Sequence, residues 1–123
     1  MRRSLGRTLL AVAIAAGCTT PESVSEGDVQ SRFSTYLATA NDCHMASECA
    51  VAFTPCPLGC YWGVRADRKA DVERKAKELV AAHERDSGRC LYRCLSPGAV
   101  TCVATKCHVE AVTSAGDPPS TTR

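Results

Sequence analysis

The chain has 123 residues, which is enough for one domain with a modest hydrophobic core. It carries 15 basic and 13 acidic side chains, but three arginines (Arg2, Arg3 and Arg7) and no acidic residue lie in the first 17 residues, so the remainder has 12 basic against 13 acidic side chains. Net charge therefore gives no reason to expect a nucleic-acid partner.

Residues 1–17 have the composition of a bacterial signal peptide: a positive start and then an apolar run, Leu9–Ala16, shorter than the roughly 20 residues of a membrane span. The run leads into Ala15-Ala16-Gly17-Cys18, which resembles a lipobox but has Ala15 where a leucine is usual. The chain has nine cysteines, and an odd number in an exported protein needs an explanation. Lipidation of Cys18 leaves an even set of eight, and we predict cleavage before Cys18 with a lipid anchor on it.

Composition divides the rest of the chain. We predict a polar lipidated tether at residues 18–27, a disulfide-stapled domain at residues 28–112 and a disordered tail at residues 113–123, rich in glycine, proline and threonine.

Two amphipathic helices are predicted within the domain. In the first, the apolar residues at helical spacing are Val29, Phe33, Tyr36, Leu37 and Ala40, and in the second, at about residues 66–85, they are Val72, Ala76, Leu79, Val80 and His83. Ser25 and Asp28 have the spacing of a capping box ahead of the first helix. We expect His83 to be a hydrogen-bonded core or boundary residue.

Three segments, 49–53, 99–103 and 106–112, have β-type content. The last two are separated by Ala104-Thr105, which predicts a hairpin with weak turn chemistry. The predicted fold class is α+β: a small disulfide-rich domain with two helices on a short antiparallel sheet and a C-terminal hairpin.

The other eight cysteines are predicted to form disulfides, as is usual for an exported domain with a small core. They are Cys43, Cys49, Cys56, Cys60, Cys90, Cys94, Cys102 and Cys107. Their spacings include no C-x₂-C, and the segment from Cys102 to His108 departs from the C-x-x-C-H haem motif, so neither a metal nor another cofactor is expected.

Geometry suggests which cysteines pair. A helix of about 30 Å separates Cys56 and Cys60 from Cys90 and Cys94, which argues against bridges between these two groups. A two-residue turn in the hairpin would place Cys102 opposite Cys107 and favour a local bridge. A shifted turn would instead send each of them to Cys43, Cys49, Cys90 or Cys94.

Outside the cysteines, the sequence has no G-x-S-x-G, no H-E-x-x-H and no phosphate-binding loop, and no catalytic residue is predicted. Tyr61-Trp62, next to Cys60, is the candidate binding surface. The tryptophan either packs over a cystine and a small core or forms an exposed platform for a sugar or a partner chain.

The lipobox, the tether, Cys56-Pro57-Leu58-Gly59-Cys60 and the late Cys102/Cys107 pair together resemble small cysteine-rich lipoproteins of the myxobacterial kind. This resemblance implies a location in the bacterial cell envelope. Thr19 follows Cys18 where an aspartate is the inner-membrane retention signal of enteric bacteria, so we expect the outer membrane.

The function expected is that of a non-enzymatic binding or structural module, held on the membrane by its lipid, whose partner is an envelope protein or a glycan. Two alternatives remain open. One is a thiol–disulfide redox protein that uses Cys90 and Cys94, with arginines beside them. The other is a disulfide-scaffold inhibitor of an exported hydrolase, with Leu95–Ala99 as its reactive segment.

Overall fold

The computed structural model describes residues 24–111. The predicted signal peptide, the predicted lipidation site at Cys18 and the predicted tail at residues 113–123 lie outside these residues. Within them, the elements in chain order are α1 (Glu26–Leu37), a short 3₁₀ turn, β1 (Cys49–Phe53), β2 (Tyr61–Arg65), a second 3₁₀ turn, α2 (Lys69–Ser87), β3 (Val100–Val103) and β4 (Lys106–Val109).

The first helix begins as its sequence predicts. The Asp28 N–H donates to Ser25 Oγ at 3.2 Å and the Ser25 N–H donates to Asp28 Oδ2 at 3.2 Å, so the capping box is confirmed. The helix α1 starts at Glu26, within the last residues of the predicted tether. Val24, which precedes the helix, packs against the core.

The hydrophobic core lies between the two helices and the β1–β2 ribbon. Its buried members are Val29, Phe33, Leu37, Ala40, Ala52, Leu58, Val64, Val72, Ala76 and Val80. Most of the predicted helical positions are among them, which confirms both apolar faces. His83 is also buried, and its Nδ1–H donates to the Val24 carbonyl at 2.7 Å, as expected for a hydrogen-bonded core histidine.

The strands form two antiparallel ribbons, β1–β2 and β3–β4, in place of the single sheet predicted. The α+β class is confirmed, but β2 was missed by the sequence analysis. The two ribbons meet at Gly63 in β2, where a Cβ atom would lie only 2.6 Å from the backbone carbonyl of Cys107. Glycine is needed there because it allows the two backbones to approach closely.

The C-terminal hairpin has the predicted register, with Val103 opposite Lys106 and Cys102 opposite Cys107. Its two-residue turn places both Ala104 (φ 48°) and Thr105 (φ 62°) in the left-handed region. These values correspond to a type I′ turn formed without the usual asparagine or glycine.

All eight predicted cysteines form disulfides. The four bridges are Cys43–Cys102, Cys49–Cys107, Cys56–Cys90 and Cys60–Cys94. The predicted local bridge between Cys102 and Cys107 is therefore wrong, although its register is right.

The reason lies in how the hairpin docks. The Cys43 N–H donates to the Thr105 carbonyl at 3.0 Å, and the Cys107 N–H donates to the Asn41 carbonyl at 2.7 Å. These backbone bonds bring the cysteine-bearing face of the hairpin against the segment that carries Cys43 and Cys49. The cysteines of the hairpin therefore bond to that segment and not to each other.

The prediction that no bridge joins the pair Cys56/Cys60 to the pair Cys90/Cys94 is also wrong. The helix does separate its own two ends, but β2 first leads away from Cys60 to the start of α2. The two bridges show that the chain just after α2 lies beside the Cys56–Cys60 turn again. The length of the helix alone therefore does not determine how far apart the flanking cysteines lie.

Candidate functional site

Residues 89–95, which we call the braced loop, are held by two disulfides. Cys90 bonds to Cys56 and Cys94 bonds to Cys60, each with a Cα–Cα distance of 5.5 Å. Both bridges span 34 positions of sequence, so the loop is joined at two points to the Cys56–Cys60 turn. Two fixed points four residues apart restrict the conformations open to the three residues between them.

The backbone of the braced loop has no hydrogen-bond partner in the described part of the chain, residues 24–111. Residues 88–99 contain no helix, strand or turn. None of the N–H or C=O groups of residues 89–95 forms a hydrogen bond with the backbone of any residue between 24 and 111. Because the loop is exposed, water can hydrate these groups, and they are available to a strand from another protein.

The side chains of the loop are all exposed, but to different degrees. Leu91 is 89% exposed and Leu95 is 72% exposed, whereas Tyr92 is more covered at 43%. Partial burial raises the pKa of Tyr92, and the nearby backbone of Gly59 acts against that rise. Tyr92 is therefore partly covered, whereas Leu91 projects into solvent.

The loop also borders a cavity of about 360 Å³. Its lining residues are Thr54, Pro55, Cys56, Glu84, Arg89, Cys90, Leu91, Tyr92 and Cys94. The lining includes the Cys56–Cys90 bridge and the exposed side chain of Leu91, so a partner that covered Leu91 would also meet this recess.

Tyr61 and Trp62, predicted to form one binding surface, do not lie side by side on a single face. As neighbours on a strand they point to opposite sides of the ribbon. Trp62 is 39% exposed, its indole N–H donates to the Leu58 carbonyl at 2.7 Å, and its ring meets Phe33 edge-on at 6.0 Å. The indole ring and its N–H group are therefore both in contact with other residues of the chain.

The exposed part of Trp62 borders a second cavity of about 360 Å³ between α1 and the Cys56–Cys60 turn. The other lining residues are Gln30, Phe33, Ser34, Leu37, Pro57, Leu58 and Gly59. Gln30 and Ser34 supply the only polar side chains of this lining. A glycan platform usually combines a stacking ring with several hydrogen-bonding groups, and this groove offers fewer of them than the backbone of the braced loop.

A third recess, of about 420 Å³, is polar and lies beside Arg65. The guanidinium of Arg65 bonds to both carboxylate oxygens of Asp67, at 3.1 and 2.8 Å, and lies 3.6 Å from Asp42. The Glu48 carboxylate accepts the backbone N–H groups of His44 and Met45, which lower its pKa. The charges of Arg65 and Glu48 are already satisfied by partners in the chain, so neither is left unpaired for a ligand.

The cysteines suggested for redox chemistry, Cys90 and Cys94, do not bond to each other. Each forms a bridge to a different cysteine of the Cys56–Cys60 turn. A dithiol that cycles through its own disulfide needs the two sulfurs to bond directly, so the arrangement favours a bracing role for both.

The braced loop lies mostly before Leu95–Ala99, the segment predicted from the sequence as the reactive segment of an inhibitor. The available signal was a pair of cysteines four residues apart that enclose Leu91, Tyr92 and Arg93, an apolar-rich sequence for a surface loop.

Comparison of the chain with protein-family models, curated proteins and solved structures gives no match. Within residues 24–111, no helix has the length and apolar character required to cross a membrane.

Proposed function

We propose that this chain is an envelope lipoprotein, anchored through Cys18, that acts by binding and not by catalysis, and that the braced loop contacts a partner protein in the envelope. One observation carries the binding part of the proposal: an exposed, unpaired backbone segment with a projecting leucine is held at both ends by disulfides. The anchor is supported by the sequence of residues 1–18 and their likeness to a lipobox.

Preorganisation explains why the bridges support binding. A flexible loop loses conformational freedom when it docks, at roughly 1–2 kcal/mol for each residue whose backbone becomes fixed. In the braced loop much of that freedom is already lost on folding, because Cys90 and Cys94 are both tied to the same turn. More of the contact energy is then available as affinity.

The unpaired backbone favours a protein over a glycan as the partner. An extended segment with free N–H and C=O groups can be joined by a strand from another chain, with main-chain bonds providing affinity and alternate side chains providing selectivity. Leu91 is the side chain best placed for the second role, because it is 89% exposed. Burial of a leucine contributes about 1.5–3 kcal/mol.

The proposal can be tested by capture from envelope extract with the purified full chain, comparing wild type with Leu91→Ser. The matched control is Val103→Ser, since Val103 is a well-exposed apolar residue on the hairpin and not part of the braced loop. We expect specific capture by wild type and the control but at least a tenfold loss with Leu91→Ser, which corresponds to about 1.4 kcal/mol. Equal capture by all three proteins would contradict the proposed role of the loop.

A further inference from the structure

We infer that the partner of the braced loop is a serine endopeptidase whose primary pocket accepts a large apolar side chain, and that Leu91 occupies this pocket. This inference rests on the proposed function and names the class of protein that the loop fits. The Leu91–Tyr92 peptide bond then lies at the position of the bond that the enzyme cuts in a substrate.

The first reason is the shape of the backbone. Endopeptidases hold their substrates in extended form by main-chain hydrogen bonds, as an added strand. Residues 88–99 run without a turn, and residues 89–95 have no backbone partner among residues 24–111. The segment is therefore already in the form that such a cleft receives, with its donors and acceptors free.

The second reason is the exposure of Leu91. Its side chain is 89% exposed, more than Leu95 at 72% and Tyr92 at 43%. An apolar side chain that projects this far from a braced backbone can fill a deep pocket. Because the side chain is leucine, the pocket it matches is large and apolar.

The third reason is what the bridges do if the bond is cut. Hydrolysis of the Leu91–Tyr92 bond consumes one water and gives a new carboxylate on Leu91 and a new amine on Tyr92. Cys90 would still hold the first end to Cys56, and Cys94 would hold the second end to Cys60. The two ends would stay close together, so the cut loop would leave the enzyme slowly, as an inhibitor does and an ordinary substrate does not.

Between the two endopeptidase classes that attack with a serine or a cysteine side chain, the chemistry of the loop favours serine. Both bridges that brace it must stay oxidised, which restricts the encounter to a compartment that permits disulfides. A cysteine endopeptidase needs a free thiolate, which also attacks disulfides and is less suited to such a compartment. A serine nucleophile has neither problem.

The test measures inhibition constants of the oxidised full chain against chymotrypsin and subtilisin, which accept large apolar side chains, and against trypsin, which requires a basic one. We expect inhibition of at least one of the first two enzymes and none of trypsin. Leu91→Gly should weaken that inhibition at least ~30-fold, the size of a binding hot spot. Leu91→Arg should transfer the inhibition to trypsin, whereas the matched Leu95→Arg should not.

Each variant is first checked by intact mass for its four disulfides, so that loss of inhibition is not confused with loss of folding. The inference is overturned if neither apolar-pocket enzyme is inhibited, if Leu91→Gly inhibits as well as wild type, or if trypsin is inhibited by wild type through Arg93. If Leu91-dependent capture from envelope extract persists in any of these cases, only the inference on the partner fails. If that capture is absent as well, the proposed function fails with it.

Discussion

The bridges of the braced loop predict an unusual order of stability between two cysteine variants. One variant, Cys56→Ala with Cys90→Ala, removes a single native bridge and leaves the other intact. The second variant, Cys90→Ala with Cys94→Ala, removes two neighbouring cysteines, which belong to different bridges. The number of substitutions is the same, but the second variant loses both bridges.

The magnitudes follow from the loops that the bridges close. While Cys60–Cys94 is present, the Cys56–Cys90 bridge closes a ring of only about ten residues, through the turn and the loop. Closing this ring contributes about 3 kcal/mol to the free energy of unfolding. Loss of Cys60–Cys94 as well opens the segment of 34 positions between those two cysteines, worth about 4 kcal/mol more. The second variant should therefore lose about 7 kcal/mol, a large part of the 5–15 kcal/mol typical of a whole domain.

Urea unfolding without reductant measures the difference, with the single tryptophan, Trp62, as a fluorescent reporter. We expect the Cys56/Cys90 variant to remain folded with a lowered midpoint and the Cys90/Cys94 variant to be largely unfolded. The opposite order would refute this reasoning. It would mean that the bridges are local, Cys56–Cys60 and Cys90–Cys94, because only then does the first variant break two bridges and the second variant one.

Three further predictions concern the anchor, the junction of the ribbons and the response to acid. Cys18→Ser should move the chain from the membrane to the soluble fraction, and unchanged processing and fractionation would contradict lipidation. Gly63→Ala should lower the free energy of unfolding by about 1–3 kcal/mol, because its Cβ would overlap the Cys107 carbonyl, while Gly27→Ala on the open first turn of α1 should be close to neutral in the same urea titration. Because the pKa of Glu48 is lowered, its charged form stabilises the fold at pH values above the ordinary pKa of 4.5, and this stability is lost as the pH falls through the lowered pKa. Glu48→Gln should therefore make the urea midpoint depend less on pH across that range.

Much of the helical part of the fold could be predicted from the sequence because it depends on local chemistry. The spacing of Val72, Ala76 and Val80 identifies a buried helical face without any knowledge of what covers it. The capping box of Ser25 and Asp28 likewise depends on residues three positions apart. The hairpin register followed from a two-residue turn, even though that turn forces Ala104 into a conformation that alanine rarely adopts.

The features that escaped prediction depend on contacts between distant parts of the chain. β2 contains Gly63, which weakens a strand on its own and is explained only by the close approach of β4. Cys102 and Cys107 have a register suited to a local bridge, but the docking of the hairpin brings other cysteines to them. The braced loop was misplaced for the same reason, since its boundaries are set by which cysteines pair.

The most direct test of the binding role of the braced loop is site-specific photo-cross-linking in the native cells. A photoreactive amino acid replaces Leu91 in one strain and Val103, also well exposed, in a matched strain. We expect one discrete cross-linked protein from position 91 and none from position 103. An absence of cross-links at position 91, or the same products from both positions, would contradict the assignment of the braced loop as the contact surface.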